Sequence, residues 1–439
     1  MPTERPPWIR FSLSGLLVGA ALLLPAPLGA TLQDDQQLSW TAAVREAVAW
    51  HPSVTEAVAR LNARTEEVTI AEAGYRPQIS AGLGSGFDNI IGSRWQPRAN
   101  LSASQMLFDF GKVKSSVDAA EAGTRIGRSD LLLAIDALIR DTSFAVIEIQ
   151  RDMALERVAA DQRTSIGGIS ALVHDRYDVG ASTKSDALQA QARVQAADVT
   201  IQEIEAERRR WESNLAYLLG RDSAPQVSLD PPIGLFGSCA PGEPDWAAIP
   251  AIMQVRAERD QAQAELKRSR ADGLPTVSLG ASGGADLTDP FSRRAEYNFG
   301  INIAAPLYSG GARRARTRGA AYALSAADAA EARVRNEVGR QLAEAARQAE
   351  SLRSVLDILD NRQASMTETG KLYRLQYMEM GTRSLVDLLN AEQELHQVRF
   401  DLVNTRYDIR RLEVTCLFLA GAQRDLFGLS GMTIRGVTL

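Results

Sequence analysis

Two segments in the second half of the chain place apolar and polar residues alternately. Over 276–287 the residues on one side are mostly apolar, and those on the other side are Thr, Ser, Gly and Asp. The segment 297–304 repeats this alternation with aromatic and β-branched residues. A period of two residues is typical of a β-strand with one apolar face. The sequence therefore predicts strands at about 276–287 and 296–305. Their apolar positions are Val277, Leu279, Ala281, Ala285, Leu287, Tyr297, Phe299, Ile301 and Ile303.

The first half contains a similar pair of alternating segments, which predicts strands at about 78–87 and 98–107. Their apolar positions are Ile79, Ala81, Leu83, Phe87, Ala99, Leu101, Ala103 and Leu107. Each strand has about ten residues, the length that a tilted strand needs to cross a bilayer. The Gly- and Ser-rich opposite side suits the wall of a pore better than a packed core. A soluble four-stranded sheet covered by helices is the alternative. The segments 88–97 and 288–295 are expected to be exposed loops.

Long segments with almost no proline follow each strand pair and carry narrow apolar stripes with a spacing of three and four residues. They extend over 111–177 and 311–380, which corresponds to about 100 Å each if they are fully helical. Narrow stripes favour coiled-coil packing over a globular core. Return helices are predicted from about 182 to 220 and from 384 to 421. The pair Gly167-Gly168 predicts a bend or a local change of helical winding.

A shorter amphipathic segment precedes each strand pair. The first extends from Leu38 to about Gly74 and is interrupted at His51-Pro52, and the second extends from Pro250 to about Asp272. Proline suits the first turn of a helix because its missing N–H would have no helical partner there. Each short helix is expected to stack end to end with the return helix of its repeat, so that together they match the long helix. The fold class is therefore mainly α with a small β part.

The same order of elements occurs twice, with an offset of about 200 residues. Matching positions are Pro52 and Pro250, Pro77 and Pro275, Gly111 and Gly311, Gly180 and Gly381, and Asp186 and Asp387. An offset this long exceeds a solenoid unit and indicates tandem duplication of one large unit. We assign the repeats to 31–221 and 249–421. A Pro- and Gly-rich link, 222–248, joins them, and 422–439 forms a C-terminal tail.

The N-terminus has the order of residues found in secretory signals. Arg5 and Arg10 precede an apolar run, Phe11 to Leu24, which a small-residue segment ending at Ala30 follows. This run is too short to span a bilayer comfortably, so residues 1–30 are assigned as a signal peptide, with a retained anchor as the alternative. No later stretch of eighteen apolar residues occurs, so we expect no transmembrane helix.

Charge and cysteine content narrow the classes of function. The formal net charge of −5 argues against nucleic acid as a partner. The two cysteines lie in unlike settings, because Cys239 is in the link and Cys416 is on an apolar helical face. We therefore expect no structural disulfide and interpret Cys416 as a small buried apolar residue.

The sequence contains no constellation that would support catalysis or cofactor binding. His51, His174 and His396 have no partners at metal-ligand spacing, and we interpret all three as satisfied or solvated surface side chains. The glycines of 82–86 lie inside an alternating strand rather than before a helix, so they do not indicate a dinucleotide loop. We expect that the protein is not an enzyme and has neither a cofactor nor a metal site.

The duplicated order, together with four local motifs, resembles the outer-membrane efflux protein family, whose best-known member is TolC. The motifs are Ala73-Gly74-Tyr75-Arg76-Pro77, Arg176-Tyr177-Asp178-Val179-Gly180, Leu307-Tyr308-Ser309-Gly310-Gly311 and the segment from Gly381 to Ala391. The resemblance covers about 38–421. It implies a homotrimer in the outer membrane whose twelve strands form one β-barrel, open to water and continuous with an α-helical barrel in the periplasm. Pro77, Gly111, Pro275 and Gly311 would then mark the junctions between strands and helices.

The resemblance also implies a passive, gated exit duct for proteins or small toxic compounds. An inner-membrane transporter of the ABC or RND type would supply the energy through a periplasmic adaptor protein. The helical turns at Gly180 and Gly381 would face the periplasm and dock these partners. The absence of a lipid-attachment cysteine slightly favours type I protein secretion over lipoprotein-type drug or metal efflux. A periplasmic coiled-coil scaffold that never enters a membrane is the alternative from a different class.

Family members close the periplasmic end with acidic rings just past the second turn, and Asp387 occupies such a position. The next ring position is Asn390, which leaves one ring of three Asp387 side chains as the hypothesis. Arg383 at the second turn is expected to pair with Asp186 at the first. A simpler role is also open. Thr183 to Asp186 and Ser384 to Asp387 both fit the capping-box pattern, in which the aspartate binds backbone N–H groups at a helix start.

Overall fold

The computed structural model describes residues 37–88, 94–240, 242–287 and 296–439. The predicted signal peptide and most of the two predicted hairpin loops lie outside these residues. The helices are α1 (Trp40–Trp50), α2 (Pro52–Glu72), α3 (Lys112–Asp178), α4 (Lys184–Leu219), α5 (Pro250–Ala271), α6 (Ala312–Leu375), α7 (Leu385–Leu419) and α8 (Gln423–Leu426). The strands are β1 (Gln78–Asp88), β2 (Arg94–Phe108), β3 (Thr276–Asp286), β4 (Glu296–Ala304), β5 (Thr433–Ile434) and β6 (Val437–Thr438).

The two long helices are α3, with 67 residues, and α6, with 64 residues. Winding of the α type continues through Gly167 and Gly168, so the change of winding predicted there is wrong. Glycine in a helix interior costs only about 1 kcal/mol relative to alanine, and continuous helix on both sides outweighs that cost. The winding changes instead at the end of α6, where Gln376–Met380 forms a wider π-type turn.

The shorter helices pack in pairs along the long ones. Helices α2 and α4 lie along α3, and α5 and α7 lie along α6. The α4 end, at Gly220, meets the ring of Trp50 just before α2, and the α7 end, at Gly421, meets Ala248 and Pro250 at the start of α5. The predicted end-to-end stacking is confirmed in both repeats. Further contacts of α3 with α5 and α7 join the two repeats.

The strands form one antiparallel sheet in the order β1-β2-β3-β4. Ile79 pairs with Ala103, Ala103 with Ala281, and Ala281 with Phe299, so the predicted apolar positions along this register lie on one face. Leu107 is an exception, because the pairing of β2 with β3 shifts there. The other face carries Ser, Gly, Asn and Thr, as in the pair of Ser80 and Ser102, whose hydroxyls are 2.7 Å apart. The alternation predicted from the sequence is confirmed.

The second strand begins earlier than the sequence predicts. It starts at Arg94 rather than near 98, so the first hairpin loop is shorter than the predicted 88–97. The reason is the cross-strand pairing of Phe87 with Trp95, whose ring centroids are 6.4 Å apart. An aromatic pair across two antiparallel strands stabilises their pairing. The strands therefore continue into a segment whose turn-forming residues had predicted a loop.

The main apolar core lies where the link and the tail meet α1, α3 and α4. Its largest fully buried side chains include Trp40 of α1, Ile139 of α3, Leu235 of the link and Phe427 of the tail. The Trp40 indole N–H donates to Ser143 Oγ at 3.0 Å. The tail therefore completes a core, although its sequence shows no strong period.

The link is covalently attached to α7, which corrects the expectation of no disulfide. Cys239 and Cys416 are bonded, with their Cα atoms 5.4 Å apart. The link folds across α7 at this level, since Gly237 N donates to Glu413 Oε1 at 3.1 Å. Both cysteines are buried, as Cys416 was expected to be, but neither is free. Their different sequence settings carried no information about this close approach.

Candidate functional site

The tip of the first hairpin is a tight turn between α3 and α4. Gly180 has φ +77°, the left-handed region that glycine adopts without steric cost. Gly180 N donates to Tyr177 O at 2.9 Å and Ala181 N donates to Arg176 O at 2.7 Å, which satisfies the last carbonyls of α3. Helix α4 then begins with a capping box between Thr183 and Asp186.

The second hairpin repeats this design with a wider turn. After the π-type turn, Gly381 has φ +60° and Thr382 N donates to Gln376 O at 3.2 Å. Asp387 N donates to Ser384 Oγ at 3.2 Å, and Ser384 N donates back to Asp387 Oδ2 at 3.2 Å. The predicted capping boxes are therefore present in both repeats.

Asp387 is a capping residue whose charge remains available. Hydrogen bonds from the Ser384 side chain and backbone, and then the nearby Arg383, lower the pKa of its carboxyl, which keeps it ionised at neutral pH. Its Oδ2 accepts the hydrogen bonds from Ser384 N and Ser384 Oγ. Asn390 is exposed one turn further along α7, on the side away from the buried Leu388 and Leu389. A ring role for Asp387 and its capping role are compatible.

Arg383 is engaged within its own hairpin. Its Nε donates to Gln376 Oε1 at 3.1 Å, and its guanidinium lies 4.4 Å from the ring centre of Tyr373. Asp186 accepts bonds from Ser182 and Thr183. Within the described part of this single chain, no ion pair joins Arg383 to Asp186.

An apolar cluster with one cation–π contact joins the two tips, and the sequence reasoning missed it. Arg176 of α3 lies over the ring of Tyr377, which is buried among Val173, Leu385 and Leu388. The available signal was the repeat itself, because Tyr377 lies 200 residues after Tyr177. The repeat did not show that only the second tyrosine turns inward.

Further along the helices from the tips, a groove of about 380 Å³ lies among α3, α4 and α7. Its polar lining residues are Gln162, Arg193, Thr200, Gln393, Gln397 and Asn404. Arg193 donates to Gln393 Oε1 and so connects α4 to α7. Amides, a hydroxyl and a guanidinium bind solutes through hydrogen bonds, but none of them accepts or releases a proton readily near pH 7. The groove therefore suits contact with water and polar solutes rather than acid–base chemistry.

His396 corrects the expectation that all three histidines are satisfied or solvated at the surface. It is only 2% exposed, and neither ring nitrogen has a hydrogen-bond partner in the described residues. Burial, reinforced by Arg399, lowers its pKa, so the ring is neutral at pH 7. Glu392 lies 3.7 Å away and accepts a bond from Ser165. His51 caps α2 by accepting from Ser53 N, and His174 is exposed.

The four predicted junction residues lie where strands and helices meet. Pro77 and Pro275 directly precede β1 and β3, and Gly111 and Gly311 directly precede α3 and α6. At the first junction the Asp109 carboxylate accepts from Gly111 N at 2.9 Å and from Val113 N at 2.6 Å. It thereby satisfies N–H groups at the start of α3.

No helix among the described residues combines the length and apolar character needed to cross a membrane. No group of three or more His, Cys, Asp or Glu side chains in these ranges is arranged to hold a metal ion.

Comparison with known proteins identifies the family. The family model described as outer membrane efflux protein matches residues 43–221 and 247–422. The chain belongs to this family. Members of this family are channels of the bacterial outer membrane. This chain is located in that membrane and extends into the periplasm. The gap between the two matched segments falls within the predicted link.

Similar proteins support this membership along most of the chain. The outer membrane efflux protein BepC of Brucella suis is 26% identical over 411 residues, which is 90% of this chain and 87% of BepC. The alkaline protease secretion protein AprF of Pseudomonas aeruginosa is 27% identical over 352 residues, 74% of this chain and 69% of AprF. The crystal structure of VceC from Vibrio cholerae has a TM-score of 0.76 at 19% identity and covers 87% of this chain and 96% of VceC. The fold is thus that of a mainly helical outer-membrane channel.

Proposed function

We propose that three copies of this outer membrane efflux protein form one passive, gated exit duct. Their twelve strands close a β-barrel in the outer membrane, and their helices continue it as a tunnel through the periplasm. An inner-membrane ABC or RND transporter and a periplasmic adaptor protein supply the cargo and the energy. One observation carries the proposal, namely the four-stranded sheet, which has an exposed apolar face and, in the part of the chain that the structure describes, two unpaired edges.

The bare face of the sheet supports its contact with lipid. Leu83 is 80% exposed, Phe299 75% and Tyr297 90%, and all three lie on the apolar face. A single soluble chain would not leave a contiguous surface of this kind in water. The exposed Phe108, Leu307 and Tyr308 follow at the ends of the strands, where aromatic side chains suit the boundary between lipid and water. The opposite face, with its Ser, Gly and Asn side chains, suits a water-filled lumen.

The unpaired edges support assembly. Among the described residues of one chain, the outer edges of β1 and β4 have no partner strand. Unpaired backbone groups are not tolerated in the hydrocarbon region, so the sheet has to close. Pairing β4 of one copy with β1 of the next satisfies both edges, and three copies give twelve strands. Helix α6 is also exposed along most of its length, as expected of an element that a second copy covers.

The periplasmic tips form the gate in this proposal. Three Asp387 carboxylates surround the closed aperture, and Asn390 lines the next level without charge. Arg383 of one copy contacts Asp186 of its neighbour when the tips are closed. An exposed pair of this kind contributes only about 0–1 kcal/mol. Closure therefore also depends on contacts such as that of Arg176 with Tyr377. The turns at Gly180 and Gly381 are the surface that the adaptor and transporter contact.

Bilayer recordings and gel migration test the duct itself. Wild-type protein extracted from outer membranes is expected to migrate as a heat-modifiable trimer and to produce discrete conductance steps in planar bilayers. A chain with β1 removed, Gln78–Asp88, serves as the control and should give neither result, because closure of the barrel is lost. A wild-type monomer that stays in solution without detergent would refute the proposal and favour the periplasmic scaffold.

The class of cargo is tested separately. The name of AprF describes secretion of a protease, and the name of BepC describes efflux. Crosslinking through the tips, followed by identification of the captured inner-membrane transporter, distinguishes the two. Capture of an ABC transporter together with loss of an extracellular protein in a deletion strain supports type I secretion. Capture of an RND pump together with sensitivity to toxic compounds supports drug or metal efflux.

A further inference from the structure

The two edges of the chain differ in charge close to the sheet. Side by side, the helices next to the sheet follow the order α2, α3, α5, α6, so α2 and α6 form opposite edges. Three arginines lie near the start of α6, and three glutamates lie in the last turns of α2. We call them the arginine group, Arg314, Arg316 and Arg318, and the glutamate group, Glu66, Glu67 and Glu72.

Both groups are available for new contacts. All six side chains belong to exposed residues. Among the residues that the structure describes, none of the six has a hydrogen-bond or ion-pair partner. Arg313, beside the arginine group, differs in this respect, because its Nη1 donates to Gly273 O at 3.1 Å. Like charges close together without partners are unfavourable, and nearby opposite charges relieve this repulsion.

The chain contains a template for the missing contact. Because the repeats correspond, the packing of α3 against α5 represents how α6 would pack against α2 of a second copy. Ala122 of α3 is fully buried, whereas its counterpart Tyr322 in α6 is 74% exposed. Ser115 of α3 is likewise buried, and its counterpart Ala315 is exposed. The surface of α6 that corresponds to a covered surface of α3 is therefore bare.

The template also fixes the level of the charges. Across α3 and α5, Lys112 Nζ bonds Leu274 O at 2.8 Å, and Arg125 bonds Asp260 at 3.1 Å. The repeat counterparts of Lys112 and Leu274 are Ala312 and Arg76, so these two residues of neighbouring copies would lie at the same height. In the same way, Ser325 would lie level with Asn62. Helices α2 and α6 run in opposite directions. Counting residues between the two reference pairs therefore shows which residue of α6 lies level with each glutamate of α2.

At these heights the two groups coincide. Glu72 lies level with Ala315, among the three arginines, and Glu67 lies level with Ala320, next to Arg318. On α6 the small residues Ala315 and Gly319 lie within the same range of heights. Charge and height therefore agree.

We propose that the arginine group of one copy pairs with the glutamate group of the next copy, and that this charge match directs which edges join. The partner is a second copy of this chain. The inference rests on the proposed trimer and adds the electrostatic contact that selects α2 as the partner of α6.

Charge reversal tests the pairing. The variant Arg314→Glu/Arg316→Glu/Arg318→Glu places like charges at the seam, and the fraction of trimer after extraction in mild detergent is expected to fall about tenfold. Adding Glu66→Arg/Glu67→Arg/Glu72→Arg to the same chain restores opposite charges and is expected to return the trimer to near the wild-type fraction. Recovery by the combined variant also shows that the reversed arginines did not simply prevent folding.

A matched control distinguishes an effect of where the charges lie from an effect of the net charge of the chain. Asp222→Arg/Asp230→Arg/Glu243→Arg, combined with the reversed arginine group, gives the same net charge, but its changes lie in the link. No recovery is expected from it. Recovery equal to that of the α2 combination, or a reversed arginine group that trimerises like wild type, would overturn the proposal.

One further result would overturn it in favour of lipid. If reversal of the arginine group lowers trimer content only in vesicles that contain phosphatidylglycerol, and not in phosphatidylcholine vesicles, then the arginines bind anionic headgroups. Failure of the wild-type chain to trimerise at all would refute the proposed duct as well. A normal wild-type trimer that is insensitive to these reversals would refute only the charge match.

Discussion

The guanidinium of Arg176, near the end of α3, lies 5.1 Å from the ring centre of Tyr377, in the turn that ends α6. Its Nη1 also approaches Tyr377 O at 3.4 Å. Tyr377 is 8% exposed, whereas Tyr177 at the matching position of the first repeat is 38% exposed. The two hairpins of one chain are therefore joined at their tips by a contact that breaks the symmetry of the repeat.

Replacing Arg176 is expected to loosen the tips. Arg176→Met keeps much of the length of the side chain and removes the cation, so about 1 kcal/mol of cation–π and hydrogen-bond stabilisation is lost. Single-channel recordings should show a larger mean conductance or more frequent opening. Arg163→Met, which removes an exposed α3–α4 ion pair with Asp198, is the control and should leave conductance unchanged. Equal conductance in both variants would exclude Arg176 from closure.

Neutralising Asp387 separates its ring role from its capping role. At this third position of the capping box an amide oxygen can accept the Ser384 N–H in place of the carboxylate, so Asp387→Asn should leave thermal stability nearly unchanged. Block of conductance by multivalent cations is expected to disappear, while Asp186→Asn retains it. Because the pKa of Asp387 is lowered, the block in wild type should persist below the usual titration range of an aspartate and vanish as pH falls further. If multivalent cations still block Asp387→Asn fully, Asp387 has the capping role and no ring role.

Reversing Arg383 tests the contact between copies. Arg383→Glu loses the stacking on Tyr373 and the bond to Gln376, and it places a like charge near Asp186 of the neighbour. Conductance should increase. Combining it with Asp186→Arg should lower conductance again if the two residues meet in the closed trimer. An increase that Asp186→Arg leaves untouched would assign the effect to Tyr373 and Gln376.

Removing the disulfide should destabilise the middle of the protein. Cys239→Ser/Cys416→Ser frees the link from α7, with an expected loss of about 2–4 kcal/mol. Thermal melting by circular dichroism should give a lower Tm, and the variant should no longer respond to reductant. The control is Cys239→Ser alone, which should melt like the double variant because either change breaks the bond. An unchanged Tm would mean that contacts such as the hydrogen bond from Gly237 N to Glu413 hold the link without the disulfide.

A buried carboxyl on α3 should make stability depend on pH. Burial, together with repulsion from Glu148 and Glu207, raises the pKa of Asp152 to about 7. The folded state therefore binds a proton more tightly than the unfolded chain, so the destabilisation by this group is absent below its ordinary pKa of 3.8, grows as pH rises, and is complete above about 7. Asp152→Asn should raise stability by on the order of 1 kcal/mol at pH 8.5 and by clearly less at pH 5. Equal effects at both pH values would contradict this account.

Sequence periodicity determined the local elements and their order. The alternation around Leu83 and Phe299 required strands with one apolar face, because side chains on a strand alternate between its sides. The offset between Gly180 and Gly381 predicted two hairpin tips, and the Thr183 and Ser384 patterns predicted their capping boxes. These features depend on neighbours a few residues apart, which a sequence displays directly. The family resemblance rested on the same motifs, and the family match confirmed it.

Tertiary structure alone decided the contacts between distant segments. The bond between Cys239 and Cys416, the burial of His396 and the inward turn of Tyr377 depend on how the link and helices α3 and α7 pack. No local pattern encodes such distances, because each contact joins residues far apart in the chain and many chain paths have the same periodicity. The apolar stripe of a helix fixes which side is covered. Only the fold decides which segment covers it.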